Sequence, residues 1–157
     1  MTQPTSLPAR SLAATPEEHL ADHEALHARF NSAARTTATK TTASLAAGAR
    51  EAGTVVLGWG FRVYKLSTNR PARVRLYDTV AHRDADLARA AATEPTGDHG
   101  VLLDYVTQAG ALAATLSPLV DGFDGDATLD MAIPITIDNL DSVTGTVSVT
   151  LTYVRTE

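Results

Sequence analysis

Alternation of apolar and polar residues dominates the carboxy-terminal part of the sequence. Between Thr144 and Val154, valine, leucine and tyrosine alternate with serine and threonine, so each set occupies one face of an extended strand. The apolar face consists of Val147, Val149, Leu151 and Tyr153. An antiparallel strand with one buried and one solvated face has this period, and the stretch carries no His, Asp, Cys or Lys. The pattern therefore predicts a scaffold strand.

A second alternating segment precedes it, separated by a loop at 139–142. Its apolar positions are Met131, Ile133, Ile135 and Ile137. Because Pro134 cannot donate a ladder hydrogen bond, we expect this strand to be an edge strand or to contain a bulge.

Alternation also marks the middle of the chain. From Val55 to Val63 the apolar positions include Trp59 and Phe61, which we expect to anchor the core, while Gly58 and Gly60 favour a bend. In residues 72–77, apolar residues alternate with Arg73, Arg75 and Tyr77, so the two arginines are either solvated or paired across a sheet.

The remaining β pattern is interrupted once. Residues 79–92 favour a short helix or ordered loop, and residues 100–107 and 111–118 predict two more strands. About seven strands in all predict a mainly β protein, an antiparallel β-sandwich of jelly-roll-like type over residues 54–157.

The amino-terminal third has a different character. Residues 1–14 predict an extended arm in which Leu7 and Leu12 could anchor the chain to a partner, and residues 36–53 predict a linker. A helix over 15–35 is indicated by Thr15 at the cap and Pro16 at the first helical position. Its heptad-like seam, which we expect to drive oligomerisation, consists of Leu20, His23, His27, Phe30 and Ala34.

Composition narrows the functional classes. In 157 residues, 44% hydrophobic content is sufficient for a core, and the net charge of -5, without a run of basic residues, argues against nucleic-acid binding. The absence of Cys excludes disulfides and a thiol nucleophile. The sequence shows no signal peptide and no membrane span, so we expect a protein that is not secreted by the general route and does not insert into a membrane.

Two patterns resemble metal sites, but neither fits. His19, His23 and His27 stand one helical turn apart without the His-Glu-x-x-His motif, so a polar seam or a solvated face is favoured over a metal site. The acidic loop at 121–130 spaces its oxygen ligands as a calcium loop would, with Asp124, Asp126, Thr128 and Asp130. Leu129 replaces the required glycine and Ile135 the glutamate, so an ordinary turn is favoured.

Catalytic motifs are equally sparse. The sequence has no Gly-x-Ser-x-Gly elbow, phosphate loop or dinucleotide fingerprint. His82 and His99 lie in loop-like contexts, and His99 beside Asp98 is more typical of a structural residue than of a base. Asp78 and Asp104 could form a carboxylate pair for sugar hydrolysis, although nothing singles them out. We therefore predict neither an enzyme nor a cofactor.

Several blocks of the sequence occur in an order that resembles a known group of proteins. These blocks are FRVYKLSTNRPARVRLYDT, RDADLARA, EPTGDHGVLLDYV and LSPLVDGF, which begin at Phe61, and the helix EEHLADHEALHARFN. They resemble a module of virion structural proteins in tailed bacteriophages, including tail-fibre and minor tail proteins. The resemblance covers most of the chain from about Thr15 onward.

This resemblance implies a non-enzymatic, often trimeric β module that is built into a virion in the host cytoplasm. It offers no catalytic residues, and this chain is shorter than long fibres and lacks repeats. We expect a homotrimeric capsid decoration protein that contacts the major capsid protein or tail proteins through its arm and helix. The alternative is a carbohydrate-binding receptor module at the tail tip, which exposed aromatics on a sheet face would favour. A cell-wall enzyme is a third hypothesis.

Overall fold

The computed structural model describes residues 34–90 and 93–156, together with Glu24. Between residues 34 and 156, helix α1 spans Val80–Asp86 and the rest of the described regular structure is β. The strands are β1 (Thr36–Leu45), β2 (Arg50–Val56), β3 (Gly60–Thr68), β4 (Ala72–Tyr77), β5 (Val101–Thr107), β6 (Ala113–Phe123), β7 (Ala132–Asn139) and β8 (Gly145–Arg155).

The strands form two antiparallel sheets of four strands each. One sheet has the order β1-β8-β3-β6, and the other has the order β2-β7-β4-β5. The pairs are nested, because β4 pairs with β5, β3 with β6, β2 with β7 and β1 with β8. Further ladders join β8 to β3 and β7 to β4, which completes the sheets. The prediction of a mainly β, antiparallel structure is confirmed.

One hydrophobic core joins the two sheets. Strand β8 contributes Val147, Val149, Leu151 and Tyr153, the residues that the alternation pattern predicts to be buried. Strand β7 contributes Ile133, Ile135 and Ile137 from the other sheet. Because the inward residues of both sheets belong to the same cluster, the burial of aliphatic side chains between them is the main stabilising contribution.

The predicted linker at 36–53 is wrong. These residues form β1 and the first half of β2, and β1 pairs with β8 from Thr36 opposite Tyr153 to Leu45 opposite Gly145. The β region therefore begins at Thr36 and not at residue 54. The sequence pattern is weak because Thr and Ala provide little contrast between the faces of β1, and the large apolar side chains are supplied by β8.

The assignment of Trp59 to the core is also wrong. Strand β2 ends at Val56 and β3 begins at Gly60, so Trp59 lies in the connection and is 47% exposed. Phe61, by contrast, is 1% exposed and belongs to the core as predicted. The predicted bend is present, and Gly58 adopts a φ of 122° that favours glycine.

Pro134 does not mark an edge strand, because β7 lies between β2 and β4 in the interior of its sheet. The ladder between β4 and β7 ends at the pair Leu76–Ile135, so Pro134 is the first residue beyond it. The missing N–H of proline therefore interrupts no pair of that ladder.

The short helix and the two strands predicted between residues 79 and 118 are present as α1, β5 and β6. The predicted arm at 1–14 and the virion-anchoring residues Leu7 and Leu12 lie outside the described residues. Of the predicted helix at 15–35, the structure describes Glu24, which is helical, and residues 34 and 35, which are not. No helix of the described part is both long and apolar enough to cross a membrane.

Candidate functional site

Helix α1 lies over the outer face of the β2-β7-β4-β5 sheet and is tied to it by polar contacts. The Arg50 Nη1 atom donates to the carbonyl of Leu87 at 2.6 Å, and Arg83 Nη1 donates to the carbonyl of Gly53 at 2.9 Å. At its start, the Thr79 hydroxyl accepts a hydrogen bond from the backbone N–H of His82 at 3.1 Å. These contacts hold a helix that is too short to be stable alone.

A buried ionic network fills the space between α1 and the sheet. Arg75 is 0% exposed, and its nitrogens lie 3.9, 3.5 and 3.7 Å from the carboxylates of Asp86, Asp104 and Asp138. None of the three nitrogens has a hydrogen-bond partner among the described residues. The surrounding carboxylates compensate a cation that would otherwise be costly to bury.

The same carboxylates are held by other arginines. Arg73 donates to Asp104 through two bonds of 2.7 and 2.6 Å, and Arg89 donates to Asp86 through two bonds of 2.5 and 2.7 Å. Arg50 forms a bidentate pair with Asp138. Of the two alternatives that the sequence leaves open for Arg73 and Arg75, pairing is the one observed.

Asp86 is the centre of this network on the helix side. Hydrogen bonds from Arg89 and Tyr77 outweigh burial and lower the pKa of Asp86 to about 2. Burial in turn raises the pKa of the Tyr77 hydroxyl. Asp86 therefore stays ionised and Tyr77 stays protonated near neutral pH, so the network fastens α1 to the sheet and has no group poised for proton transfer there.

Beside α1 lies an open pocket of about 280 Å³. It brings together the two histidines that the sequence leaves without partners. The ionisable residues of its lining are His82, Asp86, Arg89, Glu94, Asp98 and His99, and Thr93 and Thr96 add hydroxyl groups. His99 Nδ1 accepts a hydrogen bond from the N–H of Val101 at 3.2 Å. His82 lies in α1 and not in a loop, contrary to its predicted context.

One wall of the pocket contains a hydrogen-bonded histidine–carboxylate pair. His82 Nδ1 lies 2.6 Å from Asp78 Oδ1, and this hydrogen bond raises the pKa of His82. Gly100 packs so closely against the pair that a Cβ there would overlap both side chains, and its φ is 55°. Glycine at this position is therefore required by the approach of the pair.

A histidine oriented by a carboxylate could serve as a base, but its ring makes no hydrogen bond to a hydroxyl among the described residues. The hydrogen bonds of the His82 side chain among these residues go to Asp78 alone. Asp104, the other half of the hypothetical carboxylate pair, is held by Arg73. In the part of the chain that the structure describes, no three His, Asp or Glu residues are grouped so as to hold a metal ion.

The acidic loop after β6 uses its carboxylates internally. Asp124 is buried and accepts hydrogen bonds from the N–H groups of Asp126, Asp130 and Met131 at 3.1, 3.0 and 3.1 Å. Asp126 accepts a bond of 3.3 Å from the N–H of Val80, at the start of α1. The spacing that resembles a calcium loop therefore corresponds to a turn held by its own backbone donors, as the turn interpretation predicts.

An aromatic and charged cluster lies on the outer face of the β1-β8-β3-β6 sheet. Arg62 donates to Asp121 through bonds of 2.5 and 3.0 Å, and this exposed pair raises the pKa of Arg62 and lowers that of Asp121. The guanidinium of Arg35 lies 4.2 Å above the ring of Tyr64. Phe123, which is paired with Gly60, is 55% exposed.

Hydroxyl groups cover much of the same face beyond this cluster. The hydroxyls of Thr39 and Thr150 lie 2.9 Å apart, as do those of Thr41 and Ser148. Alternation along β8 predicts these polar positions, but the match across to β1 depends on the register between two strands that are distant in sequence.

Exposed apolar residues also mark the end of the sandwich at which β3 begins. The connection containing Trp59 is tied to the loop after β6 by a hydrogen bond of 2.7 Å from the N–H of Asp124 to the Trp59 carbonyl. Phe123 and Leu129, which flank this part of the second loop, are both more than half exposed. Because soluble proteins rarely leave several large apolar side chains exposed together, this end is a candidate contact region.

The predicted oligomerisation seam is not tested by the structure. Leu20, His23, His27 and Phe30 lie outside the described residues, and Ala34 is an exposed residue two positions before β1.

Neither family models nor curated proteins match this chain.

Proposed function

We propose that this chain is a non-enzymatic structural protein of a bacteriophage virion, an oligomeric capsid decoration protein. The observation that carries the proposal is the strand order, β1-β8-β3-β6 in one sheet and β2-β7-β4-β5 in the other, with nested pairs. This order supports assignment to the eight-stranded jelly rolls, an architecture that viral capsid domains and lectins use. It agrees with the expectation from the phage-like sequence blocks.

The use of the polar groups supports a scaffold over a catalyst. The buried arginines and carboxylates hold α1 against the sheet, and the Asp124 carboxylate holds its own loop. Such groups stabilise one arrangement of the chain, because the carboxylates accept internal hydrogen bonds and the buried Arg75 lies among three carboxylates. In the proposal, residues 1–14 supply the anchor through Leu7 and Leu12, and the seam from Leu20 to Ala34 joins three copies.

Attachment to particles tests this proposal. Purified full-length protein should bind virions assembled without it, and antibody labelling in electron micrographs should place it on the capsid. Deleting residues 1–14 should abolish this binding and leave the melting temperature unchanged, because the core residues of the described part all lie after Thr36. Full occupancy by the truncated protein would place the anchor elsewhere, and failure of the full-length protein to bind any particle would refute the virion assignment.

The exposed aromatic side chains favour a second candidate, a carbohydrate-binding receptor module at the tail tip. Trp59 and Phe123 are about half exposed, and Tyr64 lies on the outer face of a sheet beside Arg62 and Arg35. Jelly rolls also occur in lectins, so the fold is compatible with both candidates. Labelling at the tail tip in place of the capsid would favour the second.

A further inference from the structure

The outer face of the β1-β8-β3-β6 sheet carries an unusual combination of charges. Arg35, Arg62 and Lys65 are exposed there, and Asp121 is the carboxylate that neutralises one of them. The cluster therefore has a local charge of about +2, in a chain whose net charge is -5. A positive patch attracts anions, whereas the negative net charge of the chain discourages non-specific contact with other acidic surfaces.

Two aromatic rings flank the ion pair on this patch. Strands β3 and β6 run antiparallel with Arg62 opposite Asp121, and Phe123 lies two residues beyond Asp121 in β6. Tyr64 lies two residues beyond Arg62 in β3, in the opposite direction. Tyr64 lies at the register shift between Val63 and Lys65, and its ring is covered on one side by the Arg35 guanidinium, 4.2 Å away.

This arrangement has the groups that recognise a charged sugar chain. The exposed ring of Phe123 can pack against the apolar face of a sugar ring. The planar Arg62–Asp121 pair can bind neighbouring hydroxyls, and the remaining cations attract acidic substituents. The strand hydroxyls that continue across β8 and β1 offer further partners along the same face.

We propose that this face, formed by Arg35, Arg62, Tyr64, Lys65, Asp121 and Phe123, binds an anionic polysaccharide whose sugars bear carboxylate or phosphate groups. The inference rests on the second candidate function and specifies its site and ligand class. It concerns the purified protein alone, so it is tested independently of the attachment to virions.

Calorimetric titration of the full-length protein tests the inference with three probes of similar length: polygalacturonate, phosphomannan and dextran. We expect saturable binding to one or both anionic chains and at least tenfold weaker binding to neutral dextran. The anionic chain that binds identifies whether carboxylate or phosphate is recognised. Equal binding to dextran, or no binding to either anionic chain, would overturn the inference.

Matched variants locate the site. Phe123→Ala and Lys65→Gln should each weaken binding by about tenfold or more, because one removes a stacking surface and the other a cation. Val143→Ala is the control for the first, since Val143 is 56% exposed on the loop between β7 and β8 at the other end of the sandwich. Lys40→Gln is the control for the second, since Lys40 pairs with Glu51 away from the cluster. Equal losses in variants and controls would refute the location, and unchanged melting temperatures would show that folding is intact.

Discussion

The buried hydroxyl of Tyr77 donates a hydrogen bond of 2.7 Å to Asp86, and this bond joins the last residue of β4 to the last residue of α1. Both residues lie almost entirely out of solvent. The two residues are nine positions apart in the sequence, so the bond also holds the connection that brings α1 back over its own sheet.

Removing this hydroxyl should destabilise the protein measurably. Tyr77→Phe leaves the ring in place but takes one donor from a buried carboxylate, which we expect to cost about 1–2 kcal/mol. Tyr64→Phe removes an exposed hydroxyl and should cost about 0.5 kcal/mol or less. Urea unfolding of the two variants measures the difference, and equal midpoints would contradict the role given to the Tyr77–Asp86 bond.

The low pKa of Asp86 predicts a specific acid sensitivity. Because its pKa in the folded state is about 2 and its ordinary value is 3.8, the ionised form stabilises the fold above about pH 4. This contribution, about 2 kcal/mol, is lost as the pH falls through the folded pKa. Unfolding free energies measured between pH 5 and pH 2 should fall less steeply in Asp86→Asn, although that variant is less stable at neutral pH. An unchanged slope would show that other carboxylates dominate.

The His82–Asp78 pair predicts the opposite pH dependence. The pKa of His82 is raised above 6.5 in the folded state, so its protonation stabilises the fold below that value. The contribution is lost as the pH rises through the raised pKa. In the wild-type protein this contribution should make the melting temperature fall as the pH rises through the raised pKa. This fall should be absent in His82→Gln and in Asp78→Asn. If it is absent in only one of them, the two side chains do not act as a pair.

Phe61 and Trp59, the two aromatic residues of the β2–β3 region, differ in burial and should therefore differ in the effect of their substitution on stability. Phe61→Ala should cost about 3–5 kcal/mol, because a fully buried ring leaves a cavity. Trp59→Ala should cost about 1 kcal/mol or less, because nearly half of that side chain is already in water. Thermal melting of both variants provides the measurement, and a larger loss for Trp59 would contradict the described packing.

Oligomerisation is the fifth prediction. A seam with only two large apolar residues, Leu20 and Phe30, is too weak to hold a single helix, so we expect a trimer formed through it. Sedimentation at micromolar concentration should give three times the 16.5 kDa mass of the chain. A monomer that retains the helical signal in circular dichroism would refute the seam.

The β8 strand could be predicted from sequence because one of its faces is buried and the other is exposed to solvent. This difference produces the alternation of apolar and polar residues with a period of two. Strand β1 could not, since its small residues depend on β8 for the large side chains of their shared sheet face. Trp59 follows the alternation of its neighbours but lies beyond the end of a strand, and the sequence alone does not fix that end.

The buried network could be only half predicted. The alternation in β4 places Arg73 and Arg75 on one face, but their carboxylates come from α1, β5 and β7. Whether such arginines face water or partners depends on which strands become neighbours, and this information is distributed along the whole chain. The pairing of His82 with Asp78 is more local, and their spacing of four residues could have indicated it.

The nested pairing has a consequence for the order of assembly. The loop closed by the pairing of β4 with β5 is the shortest of the four. Each further strand pair then closes a chain segment whose ends the previous pair has already brought together, so the entropy cost of loop closure is reduced at every step. Strands β1 and β8, whose paired residues are at least 100 positions apart, then associate last, and the folding rate should be limited by this long-range search. Until β1 pairs with it, β8 has an unpaired edge. Partly folded chains in which this last pair has not formed are therefore at risk of pairing with one another through β8.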